Sequence, residues 1–358
     1  MAKKKTETEA VEKVVEDRGP EARAKAADVA LKSLSKKFGD KVVGWLSDTP
    51  QDTRTIIPTG SLRLDAALGV GGITLGRFWE LYGPQQSGKT TLAFSVMNQA
   101  IKMGHRCIFV DAEHSLDKGL LVKMGMDLSK VAFVDAYTAE EILDATEALI
   151  STGEFGVCVI DSVGALQPTA EADLESFNDN PAMGLHPRLM SRVCRTFVPL
   201  AARTNTGMLL INQIRTNLGA YGAPETTPGG NALSHAWSGR IRVSGGAVKS
   251  RQIKNSEGDA VGHKVRFEIT KNKLAVPFRE AEVDLIWGDG FQLNGEIVDL
   301  AVEMGFIDQA GAWFSYNGEK IGQGRDNAVE YVSNNKELRK ELLTNISKML
   351  GFSVEAYT

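Results

Sequence analysis

The run RFWELYGPQQSGKTTLAF, residues 77–94, constrains this chain more than any other part of it, because it specifies a strand, a loop and a helix in succession. Phe78 to Gly83 reads as a buried strand, and the residues from Lys89 onward read as a helix. Between them, Gly83-Pro84-Gln85-Gln86-Ser87-Gly88-Lys89-Thr90 has the spacing G-x-x-x-x-G-K-T. Glycines at these places let backbone N–H groups curl around a phosphate, the helix N-terminus adds a positive dipole, and Lys89 reaches the outer phosphates. Thr90 supplies a hydroxyl to Mg²⁺, and Thr91 lies in the same turn. The reading is a nucleoside triphosphate site in a P-loop α/β domain.

From about residue 56 to 288, short β-rich runs alternate with helical ones: RFWELYG, RCIFVDAE, GVCVIDS, GMLLINQ, GRIRVS, KVRFEIT and EVDLIW. Apolar strands separated by helices predict a mostly parallel sheet covered on both faces, and the closely spaced later strands predict an antiparallel extension. Residues 1–22 read as a flexible charged tail. Residues 23–55 carry a helix, with Ala27, Leu31, Leu34 and Phe38 on one stripe and Gly39 as its stop, and then a linker. That stripe has little neighbouring sequence to pack on, so it predicts docking elsewhere in the chain or on another subunit. Beyond about Asp289 the pattern turns helical, with Ile297, Leu300, Ala301 and Met304 on one face and Leu338, Leu342, Ile346 and Leu350 on another. With the Gly-rich run YNGEKIGQG, this predicts a small C-terminal α/β domain over residues 289–358.

Several function classes are set aside at this stage. No apolar run approaches the roughly 20 residues that span a bilayer, and the charged N-terminus lacks the apolar segment of a secretory signal. Cys107, Cys158 and Cys194 are far apart and read as reduced packing residues of a cytoplasmic protein. The five histidines show no metal-ligand spacing, so no zinc site is expected.

The charge is uneven. Between Asn180 and Ser256 there are ten Arg or Lys residues and one acid, Glu225, so this segment carries +9 and the remainder −13 of a formal −4. Clustered cations of this kind predict a polyanion-binding surface, since they release counterions from a phosphate backbone. Within the segment, INQIRTNLGAYGAPETTPGGNAL, residues 211–233, leaves an apolar strand and loses hydrophobic rhythm. A loop this long and irregular inside a compact domain reads as functional.

Carboxylates stand at other strand ends. Asp161 closes the apolar run GVCVIDS and reads as a partner of Mg²⁺, bound to it directly or to one of its ligands, with capping of the following helix as the alternative. Glu113, just past IFVD, suits the polarisation of a water in line with a γ-phosphate, but spacing alone leaves the choice between Glu113 and Asp111 open. Gln213 ends a further strand and begins the loop, so its amide can tie nucleotide state to loop order.

The runs GPQQSGKTT, FVDAEH, VIDSVGAL, INQIR, PETTPGGNAL, KNKLAVPF and GAWFSYNGEKIGQG stand here in the order found in the bacterial RecA recombinase family, which the chain resembles over about residues 24–350. The resemblance implies a RecA-type core over 56–288 and a helical filament on single-stranded DNA, with ATP and Mg²⁺ between neighbouring subunits. It implies DNA-dependent ATP hydrolysis, homologous pairing with double-stranded DNA and strand exchange in repair and the SOS response. A repressor and single-strand-binding or loader proteins are further partners that it implies. By position, residues 83–90 cradle the phosphates, Glu113 activates water, Asp161 helps hold Mg²⁺ and Gln213 couples the γ-phosphate to DNA. Asp117, Trp287 and Gly288 fall near the adenine, and Lys271 and Lys273 of KNK reach the phosphates of the adjoining subunit. Two DNA loops are implied. The first, around Glu175–Met183, leads through Gly184 into a helix carrying Arg188 and Arg195. The second, Arg215–Gly229, includes Thr216, Asn217, Leu218, Gly219 and Tyr221 and leads into Gly230 and Asn231. Tyr221 is placed to wedge against bases, and nothing resembles a helix that reads base edges.

There are departures from the family pattern. Leu120 and Trp287 stand where tyrosines are frequent, which alters adenine packing, and the second loop is one residue short between Gly219 and Pro224. His235 and Trp237 fall where the family has aromatic residues near a subunit contact, and read as a packing change. Pro187 marks a helix start, and the chain ends at Thr358 without a long acidic tail, an expectation of less self-inhibition. Two other readings are compatible with a P-loop core: a ring-forming motor of the same fold, and a filament former using ATP only as a clamp.

Overall fold

The computed structural model describes residues 19–39, 42–48, 55–174, 184–216, 225–246, 251–255, 257–354 and 357. Two compact units are present, residues 1–53 and 54–358. In the first, helix α1 (Pro20–Phe38) starts on a proline in its first turn and stops at Gly39, as the stripe of apolar residues predicts. Leu34 and Phe38 are exposed, and Trp45 Nε1 donates to Asp28 Oδ1 at 2.9 Å, folding the following segment back on α1.

The second unit is built on a ten-stranded sheet. Its strands are β1 (Phe78–Gly83), β2 (Arg106–Asp111), β3 (Val131–Val134), β4 (Phe155–Asp161), β5 (Gly207–Gln213), β6 (Gly239–Gly245), β7 (Gln252–Lys254), β8 (Ala260–Asn272), β9 (Glu280–Ile286) and β10 (Gly290–Phe291). The order is β10-β9-β8-β6-β1-β5-β4-β2-β3, with β7 on β8. Neighbours from β6 to β3 are parallel. Pairs from β6 to β10 are antiparallel, as is β7 with β8. The predicted α/β class, the parallel core and the antiparallel extension are all present.

Period-two alternation explains why this sheet is covered twice. Trp79, Leu81, Phe109, Val159, Leu209 and Ile211 face one core with Leu92, Val96 and Met97 of α3 (Lys89–Lys102). Phe78, Ile108, Ile160 and Leu210 face a second core with Ile142 of α5 (Ala139–Ser151) and Val193 and Phe197 of α6 (Leu185–Thr204); α4 is the short helix Lys118–Lys123. Strands buried on both faces must be continuously apolar, which is why they stand out in the sequence. Trp237 packs in the second core, 1 % exposed, which bears out its reading as a packing residue.

The C-terminal segment from Leu293 onward forms its own core. Helix α8 (Leu293–Glu303), α9 (Arg325–Asn334) and α10 (Lys336–Leu350) pack around a three-stranded sheet with Ile297, Phe314, Ile321, Leu342 and Ile346 inside. Leu62 of α2 (Leu62–Leu68) enters the same core. Beside it, Ser61 caps α2 by accepting from Leu64 N and donates its hydroxyl to buried Glu296 on α8 at 2.9 Å. No described helix is long and apolar enough to cross a membrane.

Candidate nucleotide and DNA-binding site

Parallel strands bring chemistry to their carboxyl ends, where the chain leaves the sheet. Here β1 ends in the P-loop, β2 leads to Glu113, β4 ends in Asp161 and β5 in Gln213. Four segments remote in sequence therefore converge on one edge. The cleft beside it, about 530 Å³, is lined by residues 86–91, Gly246, Gln252, His263, Leu285 and Trp287.

The P-loop itself is held tightly. A Cβ on Gly83 would lie 2.0 Å from the Val243 carbonyl oxygen, and one on Gly246 (φ +80°) would lie 2.5 Å from the Gln86 carbonyl oxygen. These glycines let the loop nest against β6. Gly246 carries no motif signal and was missed from the sequence. Lys89 opens α3, is largely buried, and donates to the Gly83 and Pro84 carbonyls at 3.2 and 2.6 Å. Burial lowers its pKa, against the pull of Asp161 and Glu113. The Ser87 hydroxyl is buried without a partner among the described residues. A buried cation held only by carbonyls, beside an unpaired hydroxyl, fits a polyanionic ligand.

Thr90 Oγ1 donates to Asp161 Oδ2 at 2.7 Å. Asp161 is 6 % exposed, and burial pushes its pKa to about 6 despite the Thr90 hydrogen bond. An alcohol and a carboxylate oxygen side by side are donors suited to a hard cation such as Mg²⁺. Asp111 and Glu113, which spacing leaves as alternatives, differ in their partners. Asp111 is buried, and its two oxygens accept the backbone N–H groups of Ser115 and Leu116 at 3.2 and 3.0 Å. Glu113 instead accepts from Ser162 Oγ at 2.5 Å and Gln213 Nε2 at 2.9 Å through the same oxygen, Oε1. Ser162 was not singled out from the sequence, although it directly follows Asp161.

Trp287 lines the cleft and is 55 % exposed, and Gly288 follows at φ +86°. Asp117 caps α4, accepting from Gly119 N at 2.7 Å, and is not among the residues lining the cleft. Lys271 and Lys273 stand at the end of β8 and just past it, and donate to the Ser234 and His235 carbonyls at 2.8 and 3.2 Å. They thus hold the carbonyl end of helix α7 (Gly230–Ala236), which the second predicted loop leads into.

The predicted DNA-binding residues divide. Met183, Asn217, Leu218, Gly219 and Tyr221 lie outside the described residues, and of Thr216 only the backbone is described. Gly184 is the N-cap of α6, on which Arg188 and Arg195 are exposed, seven residues apart and so on one face. Arg215–Thr216 pairs antiparallel with Glu225–Thr226, forming a stem for the loop between them. Gly229 caps α7, and Gly230 and Asn231 begin it, exposed.

Two of the ten cations in the basic segment have other work. Arg242 makes a bidentate pair with Glu225 at 2.9 and 2.8 Å, which raises its pKa. Arg240 pairs with fully buried Glu80 and stacks over the Tyr82 ring at 4.5 Å. Asn212, also buried, donates to Glu80 at 3.0 Å and to the Pro228 carbonyl at 2.9 Å. The loop's far stem is thereby fastened to the central strands.

The sequence matches the family profile for the RecA N-terminal domain over residues 25–292 and that for the RecA C-terminal domain over residues 295–351. It is 41% identical over 338 residues to the protein named RecA from Brucella anthropi, covering 94% of this chain and 91% of that one. With the RecA proteins of Brucella canis and Brucella abortus it is 41% identical over 348 residues, covering 96% of this chain and 94% of theirs.

Proposed function

The chain belongs to the RecA family and is a DNA recombination and repair protein, and on that premise we propose that it is a DNA-dependent ATPase that assembles as a helical filament on single-stranded DNA and exchanges strands with a homologous duplex. One observation carries the reading. Gln213 touches the proposed catalytic carboxylate, Glu113, and lies two residues before Arg215, where the stem of the DNA loop begins.

In this reading the N–H groups of residues 83–91 and the Lys89 ammonium bind the triphosphate and neutralise its charge. Thr90 and Asp161 would hold Mg²⁺, which when bound would neutralise charge on the triphosphate. Glu113 orients the attacking water and accepts its proton, while Ser162 and Gln213 aim the carboxylate. A γ-phosphate that draws the Gln213 amide moves the start of β5's exit, and with it the loop. Lys271 and Lys273 complete the site of an adjoining subunit, and the exposed Leu34 and Phe38 of α1 dock on that neighbour. Arg188, Arg195 and Arg215 bind phosphates of DNA, and Tyr221 stacks on bases.

The test is the rate of ATP hydrolysis with and without single-stranded DNA, paired with electron micrographs of the same samples. Stimulation together with filaments is the expected result. An unchanged rate, or closed rings, would overturn the proposal.

A further inference from the structure

We infer that His263 donates a hydrogen bond to the nucleoside half of the nucleotide in this cleft, with Trp287 as the positioning residue that selects its tautomer. The inference rests on the nucleotide reading of the cleft given above. His263 stands on β8, is 4 % exposed and lines the cleft together with the P-loop and Trp287. Trp287 Nε1–H donates to His263 Nδ1 at 3.0 Å. Indole nitrogen can only donate, so Nδ1 is the accepting nitrogen and the neutral ring carries its proton on Nε2. Burial lowers the imidazole pKa and favours that neutral form.

Nε2–H is therefore a donor, and among the described residues it has no partner. Buried donors are almost always paired, so an orphan in the wall of a ligand cleft points to the ligand. The position in the cleft selects the part of the ligand. Lys89 and Thr90 open α3 at the phosphate end, and His263 is fastened to the aromatic residue at the other. Because the indole N–H is engaged by His263, Trp287 offers a ligand its ring face, which suits a base.

The experiment is calorimetric titration of the full chain with Mg²⁺ and either ATP or inorganic tripolyphosphate, in wild type, His263→Phe, His263→Gln and Lys89→Ala. His263→Phe is expected to weaken ATP about tenfold and leave tripolyphosphate unchanged, and His263→Gln, which keeps a donor, to recover most of the loss. If Lys89→Ala changes neither ligand, the nucleotide reading itself fails. If Lys89→Ala weakens both while His263→Phe weakens neither, or weakens both equally, the His263 inference alone is overturned. Should the Phe variant not fold, nitrogen-resolved NMR of wild-type histidines decides. The expected spectrum has an Nε2-protonated His263 whose proton shifts with ATP and not with tripolyphosphate; an Nδ1-protonated ring overturns the inference.

Discussion

Gln213 Nε2 donates to Glu113 Oε1 at 2.9 Å, joining two strand ends a hundred residues apart in sequence. Ser162 Oγ reaches the same oxygen at 2.5 Å. The carboxylate is thus oriented from two sides, and one of its supports lies two residues before the stem of the proposed DNA loop. That arrangement separates two kinds of variant.

Glu113→Gln keeps the shape of the carboxylate but loses the proposed base, so hydrolysis should fall by roughly 10²- to 10⁴-fold while ATP binding persists. Gln213→Ala leaves the base in place and removes the link, so it should blunt the DNA dependence of hydrolysis more than ATP affinity. Steady-state rates with and without single-stranded DNA, together with nucleotide titrations, check both. A Glu113→Gln protein hydrolysing at the wild-type rate would remove Glu113 from the mechanism.

Arg240 and Asn212 both serve Glu80, which is fully buried. Arg240→Ala leaves that carboxylate buried without its cation, a change that costs about 3–5 kcal/mol. The measurement is the urea midpoint, with Arg240→Lys as the milder comparison. A loss below about 1 kcal/mol, the range of an exposed pair, would mean that the pair is merely a surface one. Since Arg240 also holds Thr227, Arg240→Ala should loosen the stem of the second loop as well.

How much of this was readable beforehand follows from distance along the chain. Strands β1, β2, β4 and β5 were legible because each is buried on both faces, and the P-loop because its chemistry lies within eight consecutive residues. Gln213 was legible because a strand end and a loop start share one residue. The Glu80–Arg240–Asn212 cluster was not, since its members meet only through the strand order β6-β1-β5. Counting cations places Arg240 and Arg242 in a polyanion-binding surface, but a charge count says nothing about partners such as Glu80 and Glu225. His263 was hidden for the same reason: it meets Trp287 only where the chain turns from β9 into β10.

Gly246 offers a test of how the P-loop is supported from behind. Gly246→Ala drives a Cβ toward the Gln86 carbonyl oxygen, 2.5 Å away, and Gln86 cannot retreat without moving the loop. Nucleotide affinity should fall about tenfold, equivalent to about 1.4 kcal/mol. Gly258→Ala is the control, because Gly258 also has positive φ, +91°, but nothing among the described residues lies within 4 Å of its Cβ position. If both variants bind nucleotide equally well, the Gly246 contact does not shape the site.

Glu296 supplies the pH dependence. It is buried, accepts from Ser61 Oγ and Arg63 N at 2.9 Å each, and its other oxygen has no partner among the described residues. Burial pushes its pKa up to about 8, and that of nearby Asp65 to about 7. A carboxyl with a raised folded-state pKa binds more protons folded than unfolded, so its contribution is full below the ordinary carboxylate range. That contribution is lost as pH climbs through about 8. Glu296→Gln removes this titration while keeping an acceptor for Ser61 and Arg63. Relative to wild type, the variant should therefore gain stability between pH 5 and pH 8, by at most about 1.4 kcal/mol per pH unit, and the gain should level off above that. Denaturant unfolding of both proteins across this range measures the difference directly. A difference that stays flat from pH 5 to 9 would show that Glu296 is ionised throughout, and that Ser61 and Arg63 suffice to hold its charge in the joint between α2 and α8.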